Sequence, residues 1–151
     1  MKKYRIYMAQ KGSTFWQPSN IIRNKITKWE GSTMATNASM GAKAREVASI
    51  TPNWNTFTPA QKDSLFSYYY SVSPNTYQST IVPLAQQVGT DDNAIQNIAD
   101  NMTAGASRFR GLKIRRNEEQ QMFLHGYQLQ QYKPPIDVTT LGKPEIINDI
   151  K

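Results

Sequence analysis

The chain has no cysteine and one histidine in 151 residues, and only 38% of its residues are hydrophobic. Without cysteine there is no disulfide framework, thiolate metal site or cysteine nucleophile. With one histidine, a zinc site would depend on carboxylates, and these come as sequence neighbours, Asp91-Asp92 and Glu118-Glu119. Neighbours diverge by ~100° around a helix, so neither pair converges as an acid–base dyad. His125 stands beside Phe123, Leu124 and Tyr127, the setting of a packed side chain. No catalytic, cofactor-binding or metal-binding residue is assigned, and neither enzyme activity nor a small-molecule substrate is expected. Long apolar runs are also missing. The longest, residues 81–85, contains Pro83. It falls short of the ~7 residues of a secretion-signal core and far short of the ~20 of a membrane span. Neither secretion by an ordinary signal nor a membrane partner is expected. A mean hydropathy of −0.62 leaves a small core for the length.

Acids are missing from two stretches, and that locates the net charge of +7. Residues 1–28 carry Lys2, Lys3, Arg5, Lys11, Arg23, Lys25 and Lys28 with no acid. Residues 108–116 carry Arg108, Arg110, Lys113, Arg115 and Arg116, again with no acid. Residues 29–107 are net −3 and residues 117–151 net −2. Bases without interleaved acids attract polyanions. The first stretch also holds Tyr4, Tyr7, Phe15 and Trp16, with Trp29 just beyond it, and aromatic faces can stack on unpaired bases while Lys and Arg neutralise phosphates. The other reading of that stretch is an arm whose aromatics anchor it to its own core or to a neighbouring subunit. Gly12 and Pro18 exclude a single continuous amphipathic helix there.

Periodicity predicts a mainly α protein, a bundle of about four helices with an extended basic N-terminal arm and an extended C-terminal tail. The expected divisions are arm and linker 1–39, helical body 40–132 and tail 133–151. Within the arm, Ile22, Ile26 and Trp29 share one face of a short helix. Residues 40–50 form another. Thr58-Pro59-Ala60-Gln61 reads as a capping box with proline at the first helical position, leading a stripe of Leu65, Phe66, Tyr69 and Val72 that Ser73-Pro74 ends. Tyr68, Tyr69 and Tyr70 cannot share a face, so at least one is expected to point to solvent or a partner. Residues 76–88 follow, with Pro83 as a kink or a second start and Gly89 as the stop. Thr90-Asp91-Asp92 is expected to cap the best helix, with Ile95, Ile98, Ala99, Met102, Ala106 and Phe109 on its apolar face. Acids at its start and the bases of 108–116 at its end would both suit the helix dipole. A bend or break is expected near Gly111. A Gln-rich helical stretch then continues to Tyr132.

Two motifs bear on function. Residues 84–98, Leu84-Ala85-Gln-Gln-Val88-Gly89-Thr90-Asp-Asp-Asn-Ala-Ile95-Gln-Asn-Ile98, resemble the helix-turn-helix of bacterial repressors. The resemblance implies Ala85 at the helix contact, Gly89 in the turn, and Asn93, Gln96 and Asn97 facing bases in the major groove. Thr90 stands where an apolar residue is usual, and Asp91 and Asp92 would face phosphates. The plain αα-hairpin uses the same small contact residue and glycine turn. The stretch Trp54-Asn-Thr-Phe57-Thr58-Pro59-Ala60-Gln61 resembles a helix start of small phage structural proteins. The cysteine-free, amide- and hydroxyl-rich helical body with a basic arm is similar to coat proteins of filamentous DNA viruses. That resemblance implies helices and arms along nucleic acid, with tails strapping subunits together.

The leading expectation is thus a non-enzymatic virion structural or assembly protein, a homo-oligomer or larger assembly, located in a virion or host cytoplasm. Its basic segments 1–28 and 108–116 would meet nucleic acid or an acidic neighbour. A helix-turn-helix regulator is the first alternative, and a protein-only adaptor or neck-type subunit the second. Met34, followed by Ala-Thr-Asn-Ala-Ser, offers a second start that would remove all seven bases of the arm.

Overall fold

A computed structural model describes residues 16–105 and 110–127. Helices dominate: α1 (Asn20–Glu30), α2 (Asn37–Ile50), α3 (Pro59–Ser71), α4 (Pro74–Thr80), α5 (Val82–Ala85), α6 (Ala94–Thr103) and α7 (Arg110–His125), with a 3-10 turn at Trp54–Thr56. Among the described residues six helices exceed a single turn, against about four expected, and no strand occurs. Side-chain caps start several of them. Ser19 accepts the Ile22 amide at the head of α1, and Ser73 accepts the Thr76 amide at the head of α4. Thr36 with Ser39, and Thr58 with Gln61, form reciprocal capping boxes on α2 and α3. Each box satisfies two amides that the first turn leaves unpaired.

α3 is the central element, in contact with α1, α2 and α7. From Asp63 to Tyr69 every side chain is buried, including Asp63, Ser64 and Ser67. A single apolar stripe does not describe it. The three tyrosines show why. Tyr68 and Tyr69 are 6% and 3% exposed. Both stack on Tyr77 of α4, with ring centroids at 6.4 and 5.1 Å. Tyr70 is half-buried, and its hydroxyl donates to the Met34 carbonyl at 3.0 Å. Helices lie on several sides of α3, so tyrosines that diverge each find an internal neighbour. Tyr70 is the one of the three that stays partly open to solvent, as the divergence of three consecutive residues on a helix requires.

Ile22 and Ile26 of α1 are fully buried in the same core. Trp16 joins it edge-on to Trp54 and Phe66, at 5.1 and 5.5 Å. Residues 16–30 thus belong with the helical body, although composition alone places them in the arm. The isoleucine spacing outweighs the surrounding bases because burying each apolar side chain yields roughly 1.5–3 kcal/mol.

Both ends of α6 differ from expectation. α6 begins at Ala94, with Asn93 as its N-cap and no side-chain cap bond. Asp91 instead accepts the Asn93 amide at 2.9 Å, which holds the chain in a turn before the helix starts. Gly89, at φ 97°, adopts the left-handed conformation that this turn requires. Downstream, α6 stops at Thr103 and α7 begins at Arg110, one residue before Gly111, where a bend or break was expected. Ala106 and Phe109, expected on the α6 face, fall outside the described residues. α7 stops at His125, where Gly126 turns left-handed at φ 83°; residues 128–132, the end of the expected helical stretch, fall outside the described residues.

Candidate polyanion interface

α1 and α7 bring the two basic stretches together. Lys25 Nζ meets Glu118 Oε1 at 2.7 Å, and Arg115 Nη1 meets Glu30 Oε2 at 2.6 Å. The N-terminal half of α7 lies beside the C-terminal end of α1, so the two helices run antiparallel.

Arg115 and Arg116, expected on a solvated basic surface, are buried, at 5% and 3% exposure. Arg115 also donates through Nε to Glu119 Oε2 at 3.2 Å and through Nη2 to the Ser67 carbonyl at 3.1 Å. Its guanidinium lies 4.7 Å from the Trp29 ring centroid. Arg116 pairs with Glu119 Oε1, donates to Ser71 Oγ, and stacks 4.7 Å from the Tyr68 ring centroid. Glu119 is fully buried and also accepts the Ser67 hydroxyl. Guanidinium groups so committed have no free edge for a phosphate, and these two positions leave the expected interface. Burial demands this pairing, since an isolated charge in the interior would cost several kcal/mol. The bases also stand at the start of α7, whose first turn has no acid. That is the unfavourable end of the helix dipole. The expected dipole match is therefore reversed, and Glu30 and Glu119 offset it.

The other expected contacts divide as follows. Lys28 on α1 and Lys113 on α7 are exposed. Arg23 is half-buried and donates to the Pro18 carbonyl and to Gln17 Oε1, both at 3.2 Å. Lys25 is paired with Glu118 and lies 5.8 Å from the Trp29 ring centroid. Arg110 opens α7. Lys2, Lys3, Arg5, Lys11 and Arg108 fall outside the described residues. The described residues hold ten bases and eight acids, a net +2, so most of the basic excess lies beyond them.

Asn93, Gln96 and Asn97 are exposed, and Ala85, Ile98 and Gly89 stand where the repressor motif would have them. The helices around them differ from that motif. α5 is a single turn, and residues 86–93 separate it from α6, whereas the motif joins two full helices by three or four residues. Asn53 Nδ2 pins this connection by donating to the Ala85 carbonyl at 3.0 Å. Gln96 spends its amide on Asp100 at 2.9 Å, and Asp91, Asp92 and Asp100 are exposed around it. This face would repel phosphates.

Two buried polar centres were not expected from sequence. One is Glu119 with its two arginines, at spacings of four and three residues that place them over one another on a helix. That spacing is a signal the sequence carries. The other is Asp63, which is 1% exposed and accepts hydrogen bonds from Ser19 and Tyr127. Burial pushes its carboxyl above the ordinary aspartate range, against the lowering effect of those bonds and of the Arg23 charge. No local pattern joins residues so far apart in sequence. A separate open groove of about 650 Å³ lies between α2 and the 3-10 turn, lined by Trp16, Ala42, Arg45, Trp54 and Asn55. The Trp54 Nε1–H is buried with no acceptor among the described residues.

Among the described residues no group of three or more His, Cys, Asp or Glu side chains could hold a metal ion, and no helix is long and apolar enough to cross a membrane. No family model matches the sequence, and neither a curated protein nor a solved structure similar to it was found.

Proposed function

We propose that this chain is a non-enzymatic assembly protein of the virion structural type, in which a helical body self-associates and a basic N-terminal segment neutralises nucleic-acid phosphates. One observation carries the reading. Residues 1–15 hold Lys2, Lys3, Arg5 and Lys11 without an acid, and the residues that follow them, Trp16 to Ser19, are fastened to the core. A polyanion held by that segment would be tethered to a rigid body and not to a loose chain. The body supports the same division of labour, because its buried arginines are neutralised internally by Glu30 and Glu119. Phosphate contact of this kind discriminates little between sequences.

The test is the salt dependence of binding to random-sequence single-stranded and duplex DNA. Replacing Lys2, Lys3, Arg5 and Lys11 by Gln should flatten the slope of log affinity against log salt. The change should be up to about 3–4, at ~0.7–0.9 for each phosphate no longer neutralised. An unchanged slope, or no binding at low salt, rejects the reading.

A second reading has its own observation. Asp91, Asp92 and Asp100 are each exposed on the body, acids that complement in charge the basic segment of a neighbouring subunit. Salt-sensitive self-association without nucleic acid, lost on Asp91→Asn with Asp92→Asn, distinguishes it by light scattering.

A further inference from the structure

Both ends of the helical body meet at one carboxylate. Asp63 lies on the enclosed helix α3. Its Oδ1 accepts the Ser19 backbone N–H at 3.1 Å. Its Oδ2 accepts the Ser19 hydroxyl and the Tyr127 hydroxyl, each at 2.5 Å. Ser19 is the N-cap of α1, and Tyr127 follows the last residue of α7 by two positions. Ser19 Oγ in turn accepts the Ile22 amide at 3.2 Å. A continuous chain of polar atoms therefore runs from the end of α7, through α3, into the first turn of α1. Asp63 is 1% exposed, so water cannot readily substitute for a partner that leaves.

We propose that Asp63 is a conformational clasp that ties the chain entering α1 to the chain leaving α7, so that the two are held or released together. The geometry supplies the coupling. Both hydroxyls share Oδ2, and the Ser19 hydroxyl that donates to it is also the cap of α1. Losing the Tyr127 bond leaves Oδ2 under-satisfied and frees the carboxylate to turn, which loosens Ser19 and with it the cap. The Tyr127 phenol is well suited to remain a donor, because burial, the Asp63 hydrogen bond and the Asp63 charge all push its pKa upward. Lys25 to Glu118 and Arg115 to Glu30, which also tie α1 to α7, lie farther along both helices than Asp63 does. The clasp stands whether or not the proposed function does.

Amide hydrogen exchange on the full chain tests it. Tyr127→Phe deletes the hydroxyl that meets both Asp63 and the Ser19 side chain, and Asp63→Asn removes the shared carboxylate while leaving that hydroxyl in place. In Tyr127→Phe the Ser19 and Ile22 amides should exchange roughly fivefold faster, the fold-change equivalent to one buried hydrogen bond. The Ile81 and Ala85 amides, hydrogen-bonded within the α4–α5 segment, should not change. Conversely, Ser19→Ala should accelerate the Gly126 amide at the end of α7, and Asp63→Asn should loosen both ends at once. Acceleration confined to Gly126 in Tyr127→Phe overturns the clasp, because the ends would then move independently. Equal acceleration at Ile81 and Ala85 overturns it too, because the bond would then serve only global stability.

Discussion

Glu119 neutralises two guanidinium groups, and the Ser67 hydroxyl and carbonyl complete the hydrogen bonding around them. Glu119→Ala would leave Arg116 without its carboxylate and Arg115 with only Glu30, both still buried. Removing one partner of a buried ion pair costs about 3–5 kcal/mol, and a fall of that size in urea unfolding free energy is expected. Lys25→Ala, which breaks a half-exposed pair with Glu118, should cost no more than about 1 kcal/mol on the same measure. Asp63 makes a different prediction, in pH. Its carboxyl is raised by burial, so the folded state holds the proton more tightly than the unfolded chain does. The stability this group contributes is fully present below the ordinary aspartate value of about 3.9 and is lost as pH rises through its raised value. Urea midpoints of the native chain should therefore fall relative to those of Asp63→Asn as pH rises across that window. Parallel midpoints would show that Asp63 titrates normally.

Among the elements, α3 has the clearest start and the least typical interior. Its capping box pairs Thr58 Oγ1 with the Gln61 amide at 3.1 Å and Gln61 Oε1 with the Thr58 amide at 2.9 Å. Thr58→Ala should lower unfolding free energy by about 1 kcal/mol, readable by thermal or urea denaturation, and Thr58→Ser should restore most of it. This start was legible in the sequence because caps are local, needing only four residues and known side-chain chemistry. The Ile22, Ile26 spacing of α1 was legible for the same reason. The interior of α3 was not. Asp63, Ser64 and Ser67 carry no local sign of burial, and the partners that hold Asp63 and Ser67 in the core, Ser19 and Glu119, lie far off in sequence. The start of α7 shows the limit most sharply. Arg115 and Arg116 in an acid-free run read as surface charge, and nothing within that run reveals that Glu30 comes to meet Arg115. The Arg-to-Glu119 spacings did carry the information, but as a helical pair they are also compatible with exposure.

At the scale of the whole molecule, charge is divided between body and flanks. The described residues are nearly balanced, and most of the excess lies outside them. Under the proposed function, the salt slope of nucleic-acid binding would be a property of the flanks, and neutralising the first four bases is the change that should move it. The clasp at Asp63 fixes the geometry of this arrangement, because the chain enters α1 and leaves α7 at a common point. An assembly built from such subunits would present its N-terminal and C-terminal flanks from the same region of each body.

The enclosure of α3 also sets the order in which the chain can be finished during synthesis. Glu30 and its partner Arg115 lie 85 residues apart, and Lys25 and Glu118 lie 93 apart. At ribosomal speeds of about 5–20 residues per second, α1 waits on the order of 5–20 s for its neighbour. During that interval Asp63, Ser67 and the tyrosines of α3 have no lid on the α7 side. The nascent chain thus carries an open, half-polar face until α7 has been made, and its polar residues keep that face wetter than a purely apolar one would be. The serines and the carboxylate that α7 later seals into the interior would, for those seconds, be hydrated polar groups on an otherwise apolar surface.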